Sequence, residues 1–223
     1  QPDDRAYLRS IALSAAGCGV TVRPVPLPAD CAPETLTDTL RALSTDDGVH
    51  GVLLLRPLPA ALRGQEILGA LVTGAAGFAP CTAEACMELL RAHGIDPAGR
   101  RVTVVGRSLV IGRPAALLLT RADATVTLCH RKTPNLAARC RAADILLAAA
   151  GAPGLITPEC VRPGQIVLDA GATALPDGTL RGDVTPAAAA IAACTPVPGG
   201  IGSVTTALLL RHTVQAAEKS HHF

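Results

Sequence analysis

Aromatic side chains are almost absent from this sequence: Tyr7, Phe78 and Phe223 are the only three, and there is no tryptophan. A core must therefore be built from leucine, valine, isoleucine and alanine. Proteins that bind single-stranded nucleic acid stack the bases on aromatic rings, so this composition argues against that function.

An excess of one charge sign is lacking as well. The formal net charge is +2 over 223 residues, and no patch of like charges favours a nucleic-acid or membrane partner. The longest apolar runs contain glycine, threonine or arginine and are shorter than the roughly 18 residues of a membrane span. Since no signal peptide opens the sequence, we expect a cytoplasmic protein without nucleic-acid or membrane partners.

The eight cysteines include no C-x-x-C pair, and no histidine cluster accompanies them. This spacing is not that of a zinc site, and we expect no metal. In a cytosolic chain of this size we expect reduced, mostly buried thiols rather than a disulfide framework.

Short apolar runs alternate with helical patterns, which predicts βαβ units, a parallel sheet and an α/β fold. The predicted strands are 20–25, 51–55, 102–106, 124–129, 144–151 and 165–171. The predicted helices are 35–43, 82–93, 113–122, 136–143 and a closing helix at 204–219. A Gly/Pro/Arg run before Val102 divides the chain into a first domain, 1–95 with 204–223, and a second, 96–203.

The segment VTVVGRSLVIGRP, 102–114, has the composition of a strand, a turn and the start of a helix. Such a turn places backbone N–H groups and a helix N-terminus where a pyrophosphate would bind. Gly106 permits the tight turn and Gly112 a close approach, with Arg107 and Ser108 between them. An ordinary βα turn is the alternative, because the three-glycine fingerprint is not complete.

The residues after the next strand indicate which dinucleotide would bind. An acid there contacts the ribose 2′-hydroxyl of NAD, whereas cations there contact the 2′-phosphate of NADP. The segment HRKT, 130–133, supplies Arg131 and Lys132 and no acid, and Arg107 can reach from the first turn. The sequence therefore favours NADP, with a solvated loop face as the alternative role of these cations.

A second glycine-rich segment, TPVPGGIG at 195–202, precedes the closing helix. Ordering so many glycines is costly unless they shape a turn or let the backbone approach a ligand. It lies after the last predicted strand, near the sheet edge where α/β proteins bind ligands. We expect Pro198, Gly199 and Gly200 to contact substrate there, and a plain structural turn is the alternative.

Six motifs together carry a family resemblance: GVLLLRPLP (51–59), PCT (80–82), GRSLVIGRP (106–114), AGAPG (150–154), GDV (182–184) and PVPGGIG (196–202). In order and spacing they resemble the bifunctional methylenetetrahydrofolate dehydrogenase/methenyltetrahydrofolate cyclohydrolase family. The resemblance implies an N-terminal α/β catalytic unit, a C-terminal Rossmann-like NADP-binding domain, a closing helix packed back on the first unit, a folate cleft and a homodimer. It also implies cofactor contacts at Thr133 and Ala172, and it allows a cis peptide before Pro198.

The sequence departs from the family where the resemblance would place catalytic groups. A tyrosine followed four residues later by a lysine lines the family's folate cleft; here Tyr7 is kept and Ile11 takes the lysine position. Leu55 takes the position of a glutamine that supports the lysine, and Asp4 that of a serine. The family's D-V-D-G-F segment is missing before PCT, either because residues are absent from the sequence as given or because the loop is shorter.

These departures leave two hypotheses for function. The first is a divergent NADP-dependent dehydrogenase of folate one-carbon units, with cyclohydrolase activity weak or lost because Ile11 can neither donate nor accept a proton. The second is a non-catalytic relative that binds NADP or a folate, or a dehydrogenase acting on a different substrate. Tyr7 then either orients a ring in the cleft or serves packing.

Overall fold

The computed structural model describes residues 2–55, Leu58, Leu62 and 78–220, with the side chains of 2–7, 219 and 220 left undescribed. The chain divides into two compact units, 1–78 with 209–223 and 79–208. Each unit has its own hydrophobic cluster.

The described part of the first unit is built on helices. Helix α1 is Pro2–Gly17 and helix α2 is Pro33–Ser44. Proline at the start of α2 lacks the N–H that the first turn leaves unpaired, and Glu34 and Arg41 complement the helix dipole at its two ends. Leu36 and Leu40, one turn apart, are buried and pack with Leu27, Cys31, Leu54, Leu58 and Leu62.

The two strands predicted in the first unit, 20–25 and 51–55, are wrong. Neither segment has regular secondary structure in the described part of the chain. Pro24 lies within the first segment and Pro26 follows it directly, and neither residue has an N–H to donate to a ladder. In the second, Val52 and Leu53 remain 39% and 44% exposed. An apolar run by itself therefore does not establish a buried strand.

The second unit contains a five-stranded parallel sheet and a small hairpin. The sheet strands are β1 (Arg101–Val105), β2 (Thr125–Cys129), β3 (Ile145–Ala148), β4 (Ile166–Asp169) and β7 (Ala193–Cys194), and the hairpin consists of β5 (Thr173–Ala174) and β6 (Leu180–Arg181). The strand order in the sheet is β2-β1-β3-β4-β7. Its helices are α3 (Cys81–Ala92), α4 (Gly112–Arg121), α5 (Leu136–Ala142), a short 3-10 helix (Pro158–Cys160) and α6 (Pro186–Ala189).

Helices cover both faces of this sheet. On one face Val102, Val104, Ile145 and Leu147 pack with buried residues of α3 and α4. On the other, alternate residues of the same strands pack with α5 and α6, which gives three layers. The predicted α/β fold is confirmed.

The closing helix α7 is Ile201–Ser220. Its residues up to Leu208 belong to the second unit, and those from Leu209 onward belong to the first. Within the first unit His212 stacks on Phe78 with ring centroids 4.4 Å apart. Among the described residues, no helix combines the length and apolarity that crossing a membrane requires.

Candidate cofactor site

The carboxyl ends of the parallel strands form the edge where the predicted cofactor residues lie. From β1 the chain crosses to β2 on one side, and it then returns to β3 on the other. Such a change of direction opens a crevice at the carboxyl edge of an α/β sheet. The turn after β1 lies at this point, with the turns after β2, β3 and β4 beside it.

Gly106 and Gly112 are required by close packing in the turn after β1. Gly106 has φ of 120°, and a Cβ there would overlap the carbonyl oxygen of Ala149 after β3. A Cβ at Gly112 would overlap the carbonyl oxygen of Gly106, so helix α4 begins against the end of its strand. These are the tight turn and the close helix–strand packing of a dinucleotide-binding fold.

Ser108 caps helix α4 from within the turn. Its hydroxyl oxygen accepts from the N–H groups of Ile111 (3.0 Å) and Gly112 (3.4 Å), and its carbonyl accepts from Arg113 (3.0 Å). Within the described chain, the N–H groups of residues 107–110 have no acceptor. Open N–H groups beside a helix N-terminus suit an anion such as a pyrophosphate.

The turn after β2 holds the predicted cations. The N–H of Thr133 donates to the carbonyl of His130 (2.7 Å), and the Thr133 hydroxyl accepts from the His130 N–H (2.9 Å). The carbonyl of Cys129 accepts from Gly106 N–H at 2.9 Å, which joins the first two turns. Arg107, Arg131 and Lys132 are exposed at these turns, so their side chains are accessible to an anionic ligand.

The glycine-rich segment before α7 is tied to the same edge. The peptide between Val197 and Pro198 is cis, Gly199 has φ of 96°, and a Cβ at Gly200 would overlap the carbonyl of Pro196. The hydroxyl of Thr195 accepts from the N–H of Asp169 at 2.8 Å, next to the end of β4. This segment is therefore a shaped loop rather than a loose linker.

Two buried aspartates organise the edge between these loops, and sequence reasoning missed both. Asp169 ends β4 and accepts from the N–H groups of Gly171 (2.9 Å), Asp183 (3.0 Å) and Val184 (3.0 Å). Burial raises the pKa of Asp169, an effect that these hydrogen bonds oppose. The available signals were the aspartate inside the predicted strand 165–171 and the aspartate of GDV, a motif of the family resemblance, and neither was given a role.

Asp183 is fully buried and in turn organises the segment after β3. Its carboxylate accepts from the N–H groups of Ala150 (2.6 Å), Gly151 (3.1 Å) and Ala152 (2.7 Å). Ala172, a predicted cofactor contact, is exposed after β4, next to Gly171. The two carboxylates thus hold the backbone after β3 and β4 in place.

The residues predicted at the folate site in the first unit are described in part. Tyr7 lies in α1, and its side chain is outside the described residues. Ile11, one turn later in α1, is 5% exposed, and Leu55 is half-buried. Arg56, Pro57 and Pro59 of the PLP segment and residues 63–77, where the D-V-D-G-F segment is expected, lie outside the described residues.

The cysteines are free thiols: four are buried, three are half-buried and Cys18 is exposed. Burial raises the pKa of the Cys86 thiol to about 12, which makes that group unreactive. Across the part of the chain that the structure describes, no group of three or more His, Cys, Asp or Glu residues is placed to hold a metal ion.

Comparison with known families accounts for nearly the whole chain. Residues 1–73 match the tetrahydrofolate dehydrogenase/cyclohydrolase catalytic domain, and residues 80–221 match the NAD(P)-binding domain of the same family. The chain belongs to the tetrahydrofolate dehydrogenase/cyclohydrolase family. The second unit, 79–208, thus lies almost entirely within the family's NAD(P)-binding domain, whose match continues to residue 221 and includes all of α7.

Relatives in this family resemble the chain over most of their length. The bifunctional protein FolD 1 of Rhodococcus jostii is 49% identical, with 95% of this chain and 77% of the relative covered. FolD 1 of Saccharopolyspora erythraea is 45% identical, with 96% and 80% covered. The crystal structure of Trypanosoma brucei FolD, complexed with NADP cofactor and inhibitor, has a TM-score of 0.91 at 35% identity and covers 100% of this chain and 85% of that one.

Proposed function

We propose that this protein oxidises 5,10-methylenetetrahydrofolate to 5,10-methenyltetrahydrofolate with NADP as hydride acceptor, and that its cyclohydrolase activity is weak or lost. The observation that carries the first part is the turn after β1. There, two glycines that tolerate no Cβ hold open N–H groups beside a helix N-terminus. Membership of the family supplies the substrate class.

Different residues along the sheet edge would contact different parts of the cofactor. The turn with Gly106, Ser108 and Gly112 would bind the pyrophosphate through backbone N–H groups. Arg107 and Arg131, both exposed at neighbouring turns, would bind the 2′-phosphate. Thr133 would keep the second turn in shape, since its hydroxyl accepts from the His130 N–H. Ala172, after β4, would face the nicotinamide end.

The two reactions make different demands on the folate site. Oxidation transfers a hydride from the methylene carbon to the nicotinamide ring and leaves a cation, so it depends mainly on orientation. Hydrolysis of the methenyl group needs a proton taken from water and another delivered to nitrogen, which is general acid–base work. Ile11 is apolar and buried, and Leu55 is apolar as well, so neither supplies that chemistry.

The substitutions at residues 11 and 55 are best understood as a pair. A glutamine left without its lysine would bury an unpaired amide at a cost of about 1–3 kcal/mol. Two apolar residues avoid that cost. Tyr7, with Pro198, Gly199 and Gly200, would then contact a folate-type substrate whose oxidation survives the change.

A second candidate is a non-catalytic relative that binds NADP or folate, or a dehydrogenase of another substrate. The substitutions at 11 and 55 favour it. The intact turn after β1 favours the dehydrogenase instead, because an unused cofactor site would have no reason to keep two glycines that exclude a Cβ. We also propose that the protein is cytoplasmic and forms a homodimer. Light scattering tests the dimer, for which we expect a mass twice the 22.6 kDa of one chain.

The deciding experiment follows absorbance of reduced nicotinamide with purified protein, NADP and methylenetetrahydrofolate. We expect reduction by the wild type and a loss of at least tenfold in kcat/KM for NADP in Arg107→Ala. Arg121→Ala is the matched control, since Arg121 is exposed at the far end of α4. NADP binding without reduction would support the second candidate.

Cyclohydrolase activity is tested separately by decay of methenyltetrahydrofolate absorbance above the uncatalysed rate. We expect a rate lower than that of a lysine-containing relative by roughly 10²–10⁴-fold, the usual contribution of general acid–base catalysis. The double variant Ile11→Lys with Leu55→Gln should recover part of it. A full cyclohydrolase rate in the wild type would refute this half of the proposal.

A further inference from the structure

The turns after β1 and β3 offer opposite hydrogen-bonding groups to a ligand. The turn after β1 has open N–H groups at residues 107–110. After β3, the N–H groups of Ala150, Gly151 and Ala152 all point inward to the Asp183 carboxylate. Within the described chain, the carbonyl oxygens of Ala150 and Gly151 accept no hydrogen bond, and both residues are exposed.

The two turns are in direct contact. A Cβ on Gly106 would overlap the carbonyl of Ala149 and would lie 3.0 Å from the N atom of Ala150. A ligand that lies across one turn therefore reaches the other. The donor turn matches phosphate oxygens, which only accept. The acceptor turn matches groups that donate, such as sugar hydroxyls or a carboxamide.

A dinucleotide has these groups in the same order. In the proposed function, the 2′-phosphate lies on the β2 side and the pyrophosphate at the turn after β1. The sheet order β2-β1-β3-β4 then places the nicotinamide ribose and carboxamide at the turns after β3 and β4. Their donors meet the open carbonyls of Ala150 and Gly151.

We propose that Asp183 is a positioning residue for the cofactor. By binding the three N–H groups of residues 150–152, it turns that segment so that its carbonyls accept from the nicotinamide-ribose half of the dinucleotide. Asp183 is completely buried and acts through this turn, not by touching the cofactor. The inference rests on the proposed function only in requiring that a dinucleotide binds.

Comparing the binding of two ligands distinguishes a positioning role of Asp183 from a general effect on stability. NADP spans both halves of the site, whereas 2′,5′-ADP carries only the adenosine half with its 2′-phosphate. In Asp183→Asn, an amide replaces a carboxylate oxygen that accepts backbone N–H groups. We expect the Kd for NADP to rise tenfold or more and the Kd for 2′,5′-ADP to change less than twofold, both measured by calorimetric titration.

A second variant covers the case in which Asp183→Asn does not fold. Gly151 has φ of 63° with open space at its Cβ position, so Gly151→Ala disturbs the turn without leaving a charge unpaired. Gly164→Ala is the matched control, because Gly164 has φ of 76°, equally open space and a place in the turn before β4, at the opposite sheet edge. We expect tenfold weaker NADP binding in the first and no change in the second.

The outcomes distinguish this inference from the proposed function. The test compares the Kd for NADP with the Kd for 2′,5′-ADP in Gly151→Ala and in any Asp183→Asn protein that folds. The positioning role is overturned if both Kd values rise equally in these variants, or if neither rises. A wild type that binds NADP but does not oxidise the folate would refute the proposed reaction, while a selective loss of NADP binding would still support Asp183. A wild type that binds neither ligand would overturn both.

Discussion

At the level of single residues, the candidate cofactor site depends most on two glycines, because neither has a Cβ atom. Gly106 and Gly112 let a strand end, a helix start and a neighbouring turn approach within distances that a Cβ would block. In the first unit, Ile11 is buried and apolar. Under the proposed function, this side chain keeps a packing group at residue 11 but supplies no group for proton transfer.

Replacing Gly112 by alanine should damage both stability and cofactor binding. The added methyl group overlaps the Gly106 carbonyl, and overpacking of this kind costs about 1–3 kcal/mol of unfolding free energy. Denaturant unfolding measures that loss, and titration should show NADP binding at least tenfold weaker. Gly202→Ala is the control: no atom of the described residues lies within 4 Å of its Cβ position, so stability and binding should be kept. A Gly112→Ala protein as stable as wild type would contradict the packing argument.

At the level of elements, three turns at the carboxyl edge of the sheet present different chemical groups. The turn after β2 carries exposed cations, the turn after β1 carries open N–H groups, and the turn after β3 carries open carbonyls. In the proposed function, each turn binds a different part of the dinucleotide. Each is held by contacts to its neighbour, such as Gly106 N–H to Cys129 carbonyl. Cofactor preference should therefore change when one turn is altered and the others are kept.

Arg131→Ala tests the turn after β2. A guanidinium–phosphate contact is worth about 1.5–3 kcal/mol, so we expect KM for NADP to rise at least tenfold while KM for NAD, which lacks the phosphate, stays within twofold. Steady-state kinetics with both cofactors gives the comparison, with Arg121→Ala again as control. Equal effects on NADP and NAD would show that Arg131 does not read the 2′-phosphate.

The amino edge of the sheet is held by an ion cluster. Asp144 precedes β3 and accepts from the Arg101 side chain (2.8 Å) and backbone N–H (3.1 Å), and from the Arg162 side chain (3.0 Å). The side-chain and backbone hydrogen bonds from Arg101 hold the pKa of Asp144 well below its usual value. This cluster joins β1, β3 and the turn before β4.

The lowered pKa of Asp144 makes the stabilisation by this cluster depend on pH. A carboxyl whose pKa is lower in the folded state stabilises the fold above its unfolded pKa of about 3.9, and the stabilisation is lost as pH falls toward the folded value. We expect Asp144→Asn to unfold at a lower temperature than wild type at pH 7, and the difference to narrow below about pH 4. Asp30→Asn, an exposed control, should match wild type throughout. A difference independent of pH would contradict this account.

At the level of the whole molecule, two compact units and a helix shared between them form the chain. A ligand that binds the folded second unit but not the unfolded chain stabilises the folded state by mass action. At a ligand concentration 100 times Kd, the free energy of unfolding rises by about 2.7 kcal/mol.

Saturating NADP should therefore raise the unfolding temperature, and NAD at equal concentration should raise it less because it lacks the 2′-phosphate. Differential scanning calorimetry measures both shifts. In Arg107→Ala, the extra stabilisation by NADP over NAD should shrink. Equal shifts with the two cofactors in the wild type would argue against NADP preference.

Local chemistry in the sequence was sufficient to predict four strands of the second unit's parallel sheet, but not its edge strand β7 or the hairpin of β5 and β6. Apolar runs at 102–106 and 124–129 became β1 and β2, and the predicted turn between Gly106 and Gly112 lies at the carboxyl edge of the sheet. Glycine content, helix starts and apolar periodicity depend on residues a few positions apart, so they can be recognised without knowing the fold.

Tertiary structure alone decided which segments pair and what the buried polar groups hold. The runs at 20–25 and 51–55 have strand-like composition but no ladder in the described residues, because a strand needs a partner that composition does not reveal. Asp183 reaches backbone N–H groups 31 to 33 positions away, and Asp169 reaches some 14 and 15 positions away. Such contacts form only when the sheet brings distant turns to one edge. A carboxylate buried there must accept hydrogen bonds, because burying an unpaired charge is costly.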